Sequence, residues 1–315
     1  MNWLPSADIE TLKLRAKLLQ NIRDFFNQKK ILEVETPLLS YTSVTDPFIA
    51  SIKALVADNK SYYLQTSPEY AMKRLLAAGS GSIYQITKAF RQGELGRFHN
   101  PEFTMLEWYR IDFDHHQLMD EVDELLRLTL RTQAAEKISY AELFQTYLKI
   151  DPHHATLNEL KITATNCGLV IHNDIHDQDT WLNLLMSHCI EPQLGFERPC
   201  MIYDFPASQA ALARIQASSP KVASRFEVYI QGIELANGFH ELQNAAEQRE
   251  RFENNLQERK QQGLPSLAID ENFLAALQHG LPDCAGVALG IDRLMMLAAK
   301  KNTIAEILSF DFKRA

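Results

Sequence analysis

The sequence predicts an α+β fold in which an antiparallel sheet is flanked by helices. After Pro101 the residues alternate, with Phe103, Met105, Glu107 and Tyr109 on one face of an extended strand and Thr104, Leu106, Trp108 and Arg110 on the other. Phe226, Val228 and Ile230 alternate in the same way with Glu227, Tyr229 and Gln231, and Gln231-Gly232 is a two-residue hairpin turn signal. Helical spacing appears elsewhere, in Leu14, Leu18, Ile22 and Phe25 and again in Leu118, Val122, Leu125 and Leu126.

The elements follow in order. The N-terminal helix closes at Lys29-Lys30, where cations suit the negative helix end, and leads into a strand. Two strands flank the polar loop between Phe90 and Pro101. The Leu118 helix opens a mainly helical insertion of about residues 117–198, in which Thr156 and Glu159 form a capping box for a helix ending near Gly168. Trp181, Leu184, Leu185 and His188 mark one more helix, and the His and Trp residues of this stretch are assigned to packing. Strands return at Met201–Phe205 and from Arg225 onward. Near the end Arg293 follows a strand-like run and opens a helix patterned on Leu294, Leu297 and Ala298; its charge adds to the positive helix end, so an anion is expected there.

Composition narrows the class. The 315 residues are 46% apolar and 23% charged, the balance of an ordinary globular protein. No apolar run approaches the ~20 residues that a membrane span needs, and Met1-Asn2-Trp3-Leu4-Pro5 does not open a signal peptide, so a cytoplasmic protein without membrane contact is expected. The net charge is −8, from 32 basic and 40 acidic residues, with no dense Lys/Arg block. Phosphate neutralisation usually leaves a basic footprint, which weighs against tRNA as a partner. Cys167, Cys189, Cys200 and Cys284 are scattered without a close pair and are read as reduced, mostly buried thiols. His115-His116 and His153-His154 are neighbours only in sequence, are placed on loops or exposed turns, and predict no metal site.

Two constellations carry chemistry. With Gln231-Gly232 as the turn, Ile230 pairs with Ile233 and Tyr229 faces Glu234, so Glu227 and Glu234 become diagonal cross-strand neighbours about 7 Å apart. Two like charges on one face are costly without a counterion; a divalent cation shared with substrate phosphates suits them, and a solvated acidic face is the alternative. On the other strand Glu107 sits beside the Tyr109 phenol.

The run Phe90-Arg91-Gln92-Gly93-Glu94 through His99-Asn100-Pro101-Glu102-Phe103-Thr104-Met105-Leu106-Glu107-Trp108-Tyr109 resembles motif 2 of the class II aminoacyl-tRNA synthetases, in the form typical of their lysyl branch. Lys29–Leu39 resembles motif 1 and Gly286–Leu297 motif 3, in the family's order and across nearly the whole chain. The resemblance implies a single class II catalytic domain over residues 1–315, a dimerisation element in residues 1–40 and therefore a homodimer. It implies ATP and Mg²⁺. Arg91 would contact the α-phosphate and Arg293 the terminal phosphate end, with Phe103 stacked on adenine and His99-Asn100 in the loop over the nucleotide. Gln92, Gly93, Glu94, Glu234, Leu235 and Gly290 complete the ATP set, and Glu227 and Glu234 match the metal-binding acids. Ser67, Pro68 and Glu69 match the loop that receives a substrate amino group, and Glu107, Tyr109, Asn237 and Glu241 match the rest of the lysyl pocket. Three acids around one ligand suit a diamino acid, whose two cations must each meet an acceptor, and argue against the aspartyl and asparaginyl branches.

The chain departs from the family pattern at four points. Gly93 stands where a glutamate is common, which leaves the adenine contact to Glu94 or to backbone groups around Gln92-Gly93. Motif 1 begins about 29 residues in, leaving no room for an anticodon-binding barrel, and Trp108 is unusual. Ala288 replaces a glycine in motif 3, and its methyl group would reshape the pocket near the substrate α-carbon and suit a displaced amino group. The last three departures resemble a truncated offshoot of the lysyl branch, and that resemblance implies (R)-β-lysine as substrate and a lysine ε-amine of elongation factor P as acceptor. A minimal synthetase charging tRNA and a non-catalytic amino-acid-binding regulator are the rival readings.

Overall fold

The computed structural model describes residues 3–56, 60–170 and 175–315. Met1 and Asn2 of the opening, and residues 171–174 of the helical stretch, lie outside the described residues. The chain begins with helix α1 (Ile9–Gln28) and the short strands β1 (Leu32–Glu33), β2 (Leu39–Ser40), β3 (Lys53–Leu55) and β4 (Ser61–Leu64). Helix α2 (Glu69–Ala77) and strands β5 (Ile83–Phe90) and β6 (Glu102–Ile111) follow. Next come α3 (His115–Leu130), β7 (Glu136–Ser139), α4 (Tyr140–Leu148), α5 (Leu157–Asn166) and α6 (Gln178–Leu185). Strands β8 (Cys200–Pro206), β9 (Val222–Ile230) and β10 (Ile233–His240) precede α7 (Ala245–Gln261), α8 (Glu271–Gly280), β11 (Cys284–Gly290) and α9 (Ile291–Ala299).

The chain divides into two compact units: Met1–Asp112, Leu242–Cys284 and Ala288–Ala315 in the first, Phe113–Glu241 and Ala285–Val287 in the second. Both are α+β with mostly antiparallel strands, as the alternating and helical patterns predict. No helix among the described residues is long and apolar enough to cross a membrane.

In the first unit β5 and β6 pair antiparallel from Ile83↔Tyr109 to Phe90↔Glu102, and β1 joins β5 in parallel. Opposite residues share a face, so Tyr84 and Trp108 turn together onto α1, where Phe26 stacks on Tyr84 at 4.3 Å and meets Trp108 edge-on at 5.4 Å. Helix α1 buries Leu18, Ile22, Phe25 and Phe26, whereas Leu14, one turn earlier, is 39% exposed. Its end is a Schellman reversal built on Lys30 at φ 56°, with Ile31 N–H donating to Phe26 O and Lys30 N–H to Asn27 O. Asp292 of α9 accepts Thr104 N–H at 2.7 Å and pairs with Arg15 at 2.7 Å, while Arg15 also donates to Thr104 Oγ1. These bonds tie α1, β6 and α9 together inside this unit. Helix α9 buries Leu294, Met295 and Met296; Leu297 and Ala298, expected on the same stripe, are half-buried.

In the second unit β8, β9 and β10 form an antiparallel run, with β7 joining β8 in parallel. Leu118, Val122, Leu125 and Leu126 are fully buried on α3, as their spacing predicts. The Thr156–Glu159 capping box is present and α5 stops at Cys167, before Gly168 at φ 80°. Helix α6 buries Trp181, Leu182 and Leu185 and then widens into a π-turn at Met186–Ile190. The wider turn breaks the 3.6-residue stripe, so His188 faces solvent while Met186 and Ile190 are buried. The strand β7 within this otherwise helical stretch was not foreseen.

Candidate active site

The face of the β5–β6 hairpin turned away from α1 carries a row of predicted site residues. Tyr109 lies opposite Ile83, Glu107 opposite Gln85, Met105 opposite Thr87 and Phe103 opposite Ala89, with Arg91 just beyond. The Tyr109 hydroxyl donates to Glu107 Oε1 at 2.7 Å, and both residues are buried. From Glu107 to Phe103 is four residues, roughly 13 Å of strand. Trp108 falls on the opposite face and belongs to the core.

At the Arg91 end the guanidinium lies 5.2 Å over the Phe103 ring, Nη1 is 3.5 Å from Glu94, and Nε is buried without a hydrogen-bond partner. Gly93 adopts φ 83°, a left-handed turn that disfavours any side chain, which is the physical reason a glutamate is absent there. Gln92 N–H anchors this turn on Ala50 O, and Glu94 rather than residue 93 supplies the carboxylate beside Arg91. The loop closes through Gly96 and His99, and Asn100 ties it down by donating to Glu102 O and accepting Phe312 N–H.

Arg293, the third residue of α9, reaches His99 Nε2 through Nη2 at 2.6 Å, and its side chain folds back over Gly290. Burial, and next the Arg293 charge, pushes the His99 imidazole below its ordinary 6.5, so its neutral ring accepts from Arg293. Burial likewise lowers His116 and His153. A lowered folded value means that the unfolded chain binds more protons between that value and 6.5. Stability from these groups is therefore complete above 6.5 and is lost as pH falls through their folded values; the depressed Asp151 and Glu142 carboxylates act with the same sign lower down. The urea midpoint should fall on acidification from about pH 7 to about pH 5.5. A midpoint that rises or stays flat contradicts this balance.

At the other end of this unit Pro68 caps α2, Ser67 Oγ accepts Glu69 N–H, and Glu69 Oε1 accepts Lys73 Nζ at 2.7 Å. Lys73 is 1% exposed and lies over the Phe273 ring. It was missed in the sequence, although four residues along a helix from Glu69 is the spacing of an intrahelical ion pair. Ser67 also borders a cavity of about 110 Å³ with Thr66, Tyr70, Arg74 and Asp270, but neither Glu69 nor Glu107 lines it. Ala288, on β11, is half-buried.

The second unit holds the acidic hairpin. Gln231 and Gly232 have φ 53° and 71°, a type I′ turn, and Ile230↔Ile233 and Tyr229↔Glu234 pair as expected. Beyond Glu234 a one-residue bulge shifts the register, setting Ala236 opposite Val228 and Asn237 opposite Glu227. Without it Asn237 would face the other side of the sheet. Glu227, 7% exposed, accepts from the Tyr229 hydroxyl through Oε2 at 2.6 Å and from Asn237 and Arg225 through Oε1. Arg225 stacks on Phe205 at 4.5 Å and donates to Gln209 O. Leu235 and Glu241 are buried, and Glu241 O accepts from Arg214. Arg225 sits two residues before Glu227 on the same face, a visible signal that went unused. Glu191, whose Oε1 lies 3.2 Å from the Tyr229 hydroxyl, gave no signal because it comes from a distant turn.

Among the described residues no group of three or more His, Cys, Asp or Glu side chains is arranged to hold a metal. Glu227 and Glu234 nevertheless fit Mg²⁺ by donor type: they are hard oxygen ligands, and together with Glu191 they place three negative charges near Tyr229. Two sequence expectations need correcting. His115 is not on an exposed turn: it begins α3, is 5% exposed, lies with its ring 4.1 Å from that of His116 at a 36° tilt, and lies 3.5 Å from Asp204. The cysteines are not all apart or mostly buried, since Cys167 is exposed and Cys189 half-buried, and burial and then the hydrogen bond that the Cys189 thiol donates to Cys167 push that thiol up to about 11. Both corrections arise from tertiary packing between segments distant in sequence.

A family model described as tRNA synthetases class II (D, K and N) matches residues 5–314. A Vibrio cholerae serotype O1 protein named Elongation factor P--(R)-beta-lysine ligase is 53% identical over 320 residues, covering 100% of this chain and 99% of that protein. Proteins of the same name from Hamiltonella defensa and Edwardsiella ictaluri are 50% and 49% identical over 320 residues, covering 100% of this chain and 98% of theirs.

Proposed function

The chain belongs to the class II tRNA synthetases (D, K and N), and from that premise we propose that it is an ATP-dependent ligase that activates (R)-β-lysine and transfers it to a lysine ε-amine of elongation factor P. The observation that carries the reading is the single-faced row Tyr109, Glu107, Phe103, Arg91, which pairs an amine-binding acid with an aromatic plate and a phosphate-binding cation along one strand hairpin. The relatives' name supplies the amino acid and the acceptor.

In the first step a carboxylate oxygen of the amino acid attacks the α-phosphorus of ATP and the bond to pyrophosphate breaks. No side-chain nucleophile is needed, because the carboxylate is already anionic; alignment and charge stabilisation do the catalysis. Arg91 meets the charge growing on the α-phosphate, and Arg293, steadied by neutral His99, holds the terminal phosphates. Phe103 takes the adenine, with Gln92, Gly93, Glu94, Asn100 and Gly290 shaping the nucleotide site. Mg²⁺, when bound, neutralises phosphate charge, and Glu227 and Glu234 would hold it. In the first unit Glu69 and Glu107, with Ser67, Pro68 and Tyr109, offer acceptors for an ammonium group; Asn237 and Glu241 are the second unit's candidates. In the second step the acceptor amine attacks the adenylate carbonyl and AMP departs.

A single family model over residues 5–314 supports treating both units as one catalytic domain. Exposed Ile9, Leu32, Leu39 and Tyr41 on the N-terminal segment support a homodimer formed there, and the net charge of −8 supports a protein acceptor in the cytoplasm rather than tRNA. Amino-acid-dependent pyrophosphate exchange tests the first step: (R)-β-lysine should outperform α-lysine, and Ala288→Gly should shift the ratio toward α-lysine roughly tenfold or more, the worth of one methyl in a tight pocket. An unchanged ratio removes Ala288 from the specificity pocket.

A further inference from the structure

The Tyr229 hydroxyl has one proton and two carboxylates within reach, Glu227 Oε2 at 2.6 Å and Glu191 Oε1 at 3.2 Å. The shorter contact holds the proton in this structure. Glu227 Oε1 already receives Arg225 and Asn237, and Arg225 is pinned by the Phe205 ring and the Gln209 carbonyl. A cation engaging Glu227 therefore meets Oε2, the oxygen that also accepts from Tyr229, and competes with that hydrogen bond for its charge. Tyr229 is 2% exposed, and a buried hydroxyl deprived of its acceptor destabilises the state that deprives it.

We propose that Glu191 is a positioning residue for the cation site, the second acceptor to which the Tyr229 hydroxyl turns when Glu227 Oε2 takes a cation. The proposal rests on the assignment of Glu227 and Glu234 to the metal. The backbone around Glu191 is built to hold this distance. The turn Glu191–Gln193 follows the π-turn and docks on the β9–β10 hairpin, with Gln231 N–H donating to Gly195 O at 2.9 Å and Gly232 N–H to Leu194 O at 2.8 Å. A Cβ on Gly195 would come within 2.4 Å of Tyr229 O, and one on Gly232 within 3.3 Å of Glu191 O, so the two chains approach as closely as glycine permits. The helical insertion thereby presents one carboxylate to the hairpin that carries the metal acids.

The test is Mn²⁺ binding, read by electron paramagnetic resonance on the full chain with a non-hydrolysable ATP analogue. Glu191→Ala should weaken binding roughly tenfold, the effect of one lost hydrogen bond of about 1.4 kcal/mol. Glu191→Gln, whose amide oxygen still accepts, should bind as wild type does. Tyr229→Phe should bind at least as tightly as wild type, and Glu191→Ala should then have no further effect. Equal weakening by Ala and Gln, or the same weakening in the Tyr229→Phe background, overturns the proposal in favour of a simple charge effect, and so does weaker binding by Tyr229→Phe alone. Glu234→Gln separates the two readings. Binding that survives this change overturns the metal assignment and the proposal together, whereas binding lost there but indifferent to Glu191→Ala overturns the proposal alone.

Discussion

Arg91→Ala should lower amino-acid-dependent pyrophosphate exchange by roughly 10²- to 10³-fold, the usual cost of removing one charge-stabilising donor from an adenylate-forming or acyl-transfer centre. The loss should fall on kcat, because the charge assigned to Arg91 in the proposed reaction is largest when pyrophosphate departs. The local geometry suits the Arg91 guanidinium to this proposed role. Its nearest carboxylate, Glu94, is 3.5 Å away and both side chains are partly exposed, so little folding stability depends on the pair. The guanidinium is instead steadied by the Phe103 ring, with Nε buried and open to an acceptor. Arg91→Lys keeps the charge without the planar fork and should fall between wild type and alanine. An alanine variant within tenfold of wild type, or one that moves only KM, would remove Arg91 from the chemistry.

The second large effect is on stability. Glu69→Ala removes the carboxylate that compensates Lys73, whose side chain is 1% exposed, and should destabilise the chain by about 3 kcal/mol or more, the range measured for breaking one side of a buried pair. Lys73→Met in the same chain should recover most of that loss, because a methionine of similar length fills the space without a charge. Substrate use should not recover if, as proposed, Glu69 receives the amine of the amino acid. Chemical denaturation and amino-acid KM measured side by side separate the two roles. A Glu69→Ala variant as stable as wild type would show that the ion pair contributes nothing, and full recovery of KM in the double variant would take Glu69 out of the amino-acid pocket.

Much of the fold was legible because single patterns decide it. The period-two alternation of Phe103 to Arg110 appears as read, and the Gln231-Gly232 turn sets a hairpin in which Ile230 pairs with Ile233 and Tyr229 with Glu234. The Thr156 cap and the Leu118–Leu126 stripe are equally local signals. What escaped depends on a single inserted residue or on distant neighbours. The bulge after Glu234 has no composition marker, yet it moves Asn237 onto Glu227. The π-turn at Met186–Ile190 breaks the helical stripe that His188 was expected to continue. Lys73 and Arg225 were within reach of simple spacing rules, at four residues on a helix and two on a strand from acids already singled out. Glu191, His115 against His240, and the Cys167–Cys189 contact join segments far apart in sequence and were beyond any local rule. The departure at Gly93 was visible as a departure, but only its φ of 83° gives the reason.

The most direct test of the central claim is intact-mass spectrometry of elongation factor P and of lysine tRNA after parallel incubation with this protein, ATP, Mg²⁺ and either (R)-β-lysine or α-lysine. The account predicts one β-lysyl increment on elongation factor P, lost when its acceptor lysine is replaced, and no charging of the tRNA. Charging of tRNA with elongation factor P unmodified would make the chain a minimal synthetase, and no increment on either acceptor alongside absent pyrophosphate exchange would contradict the catalytic reading altogether.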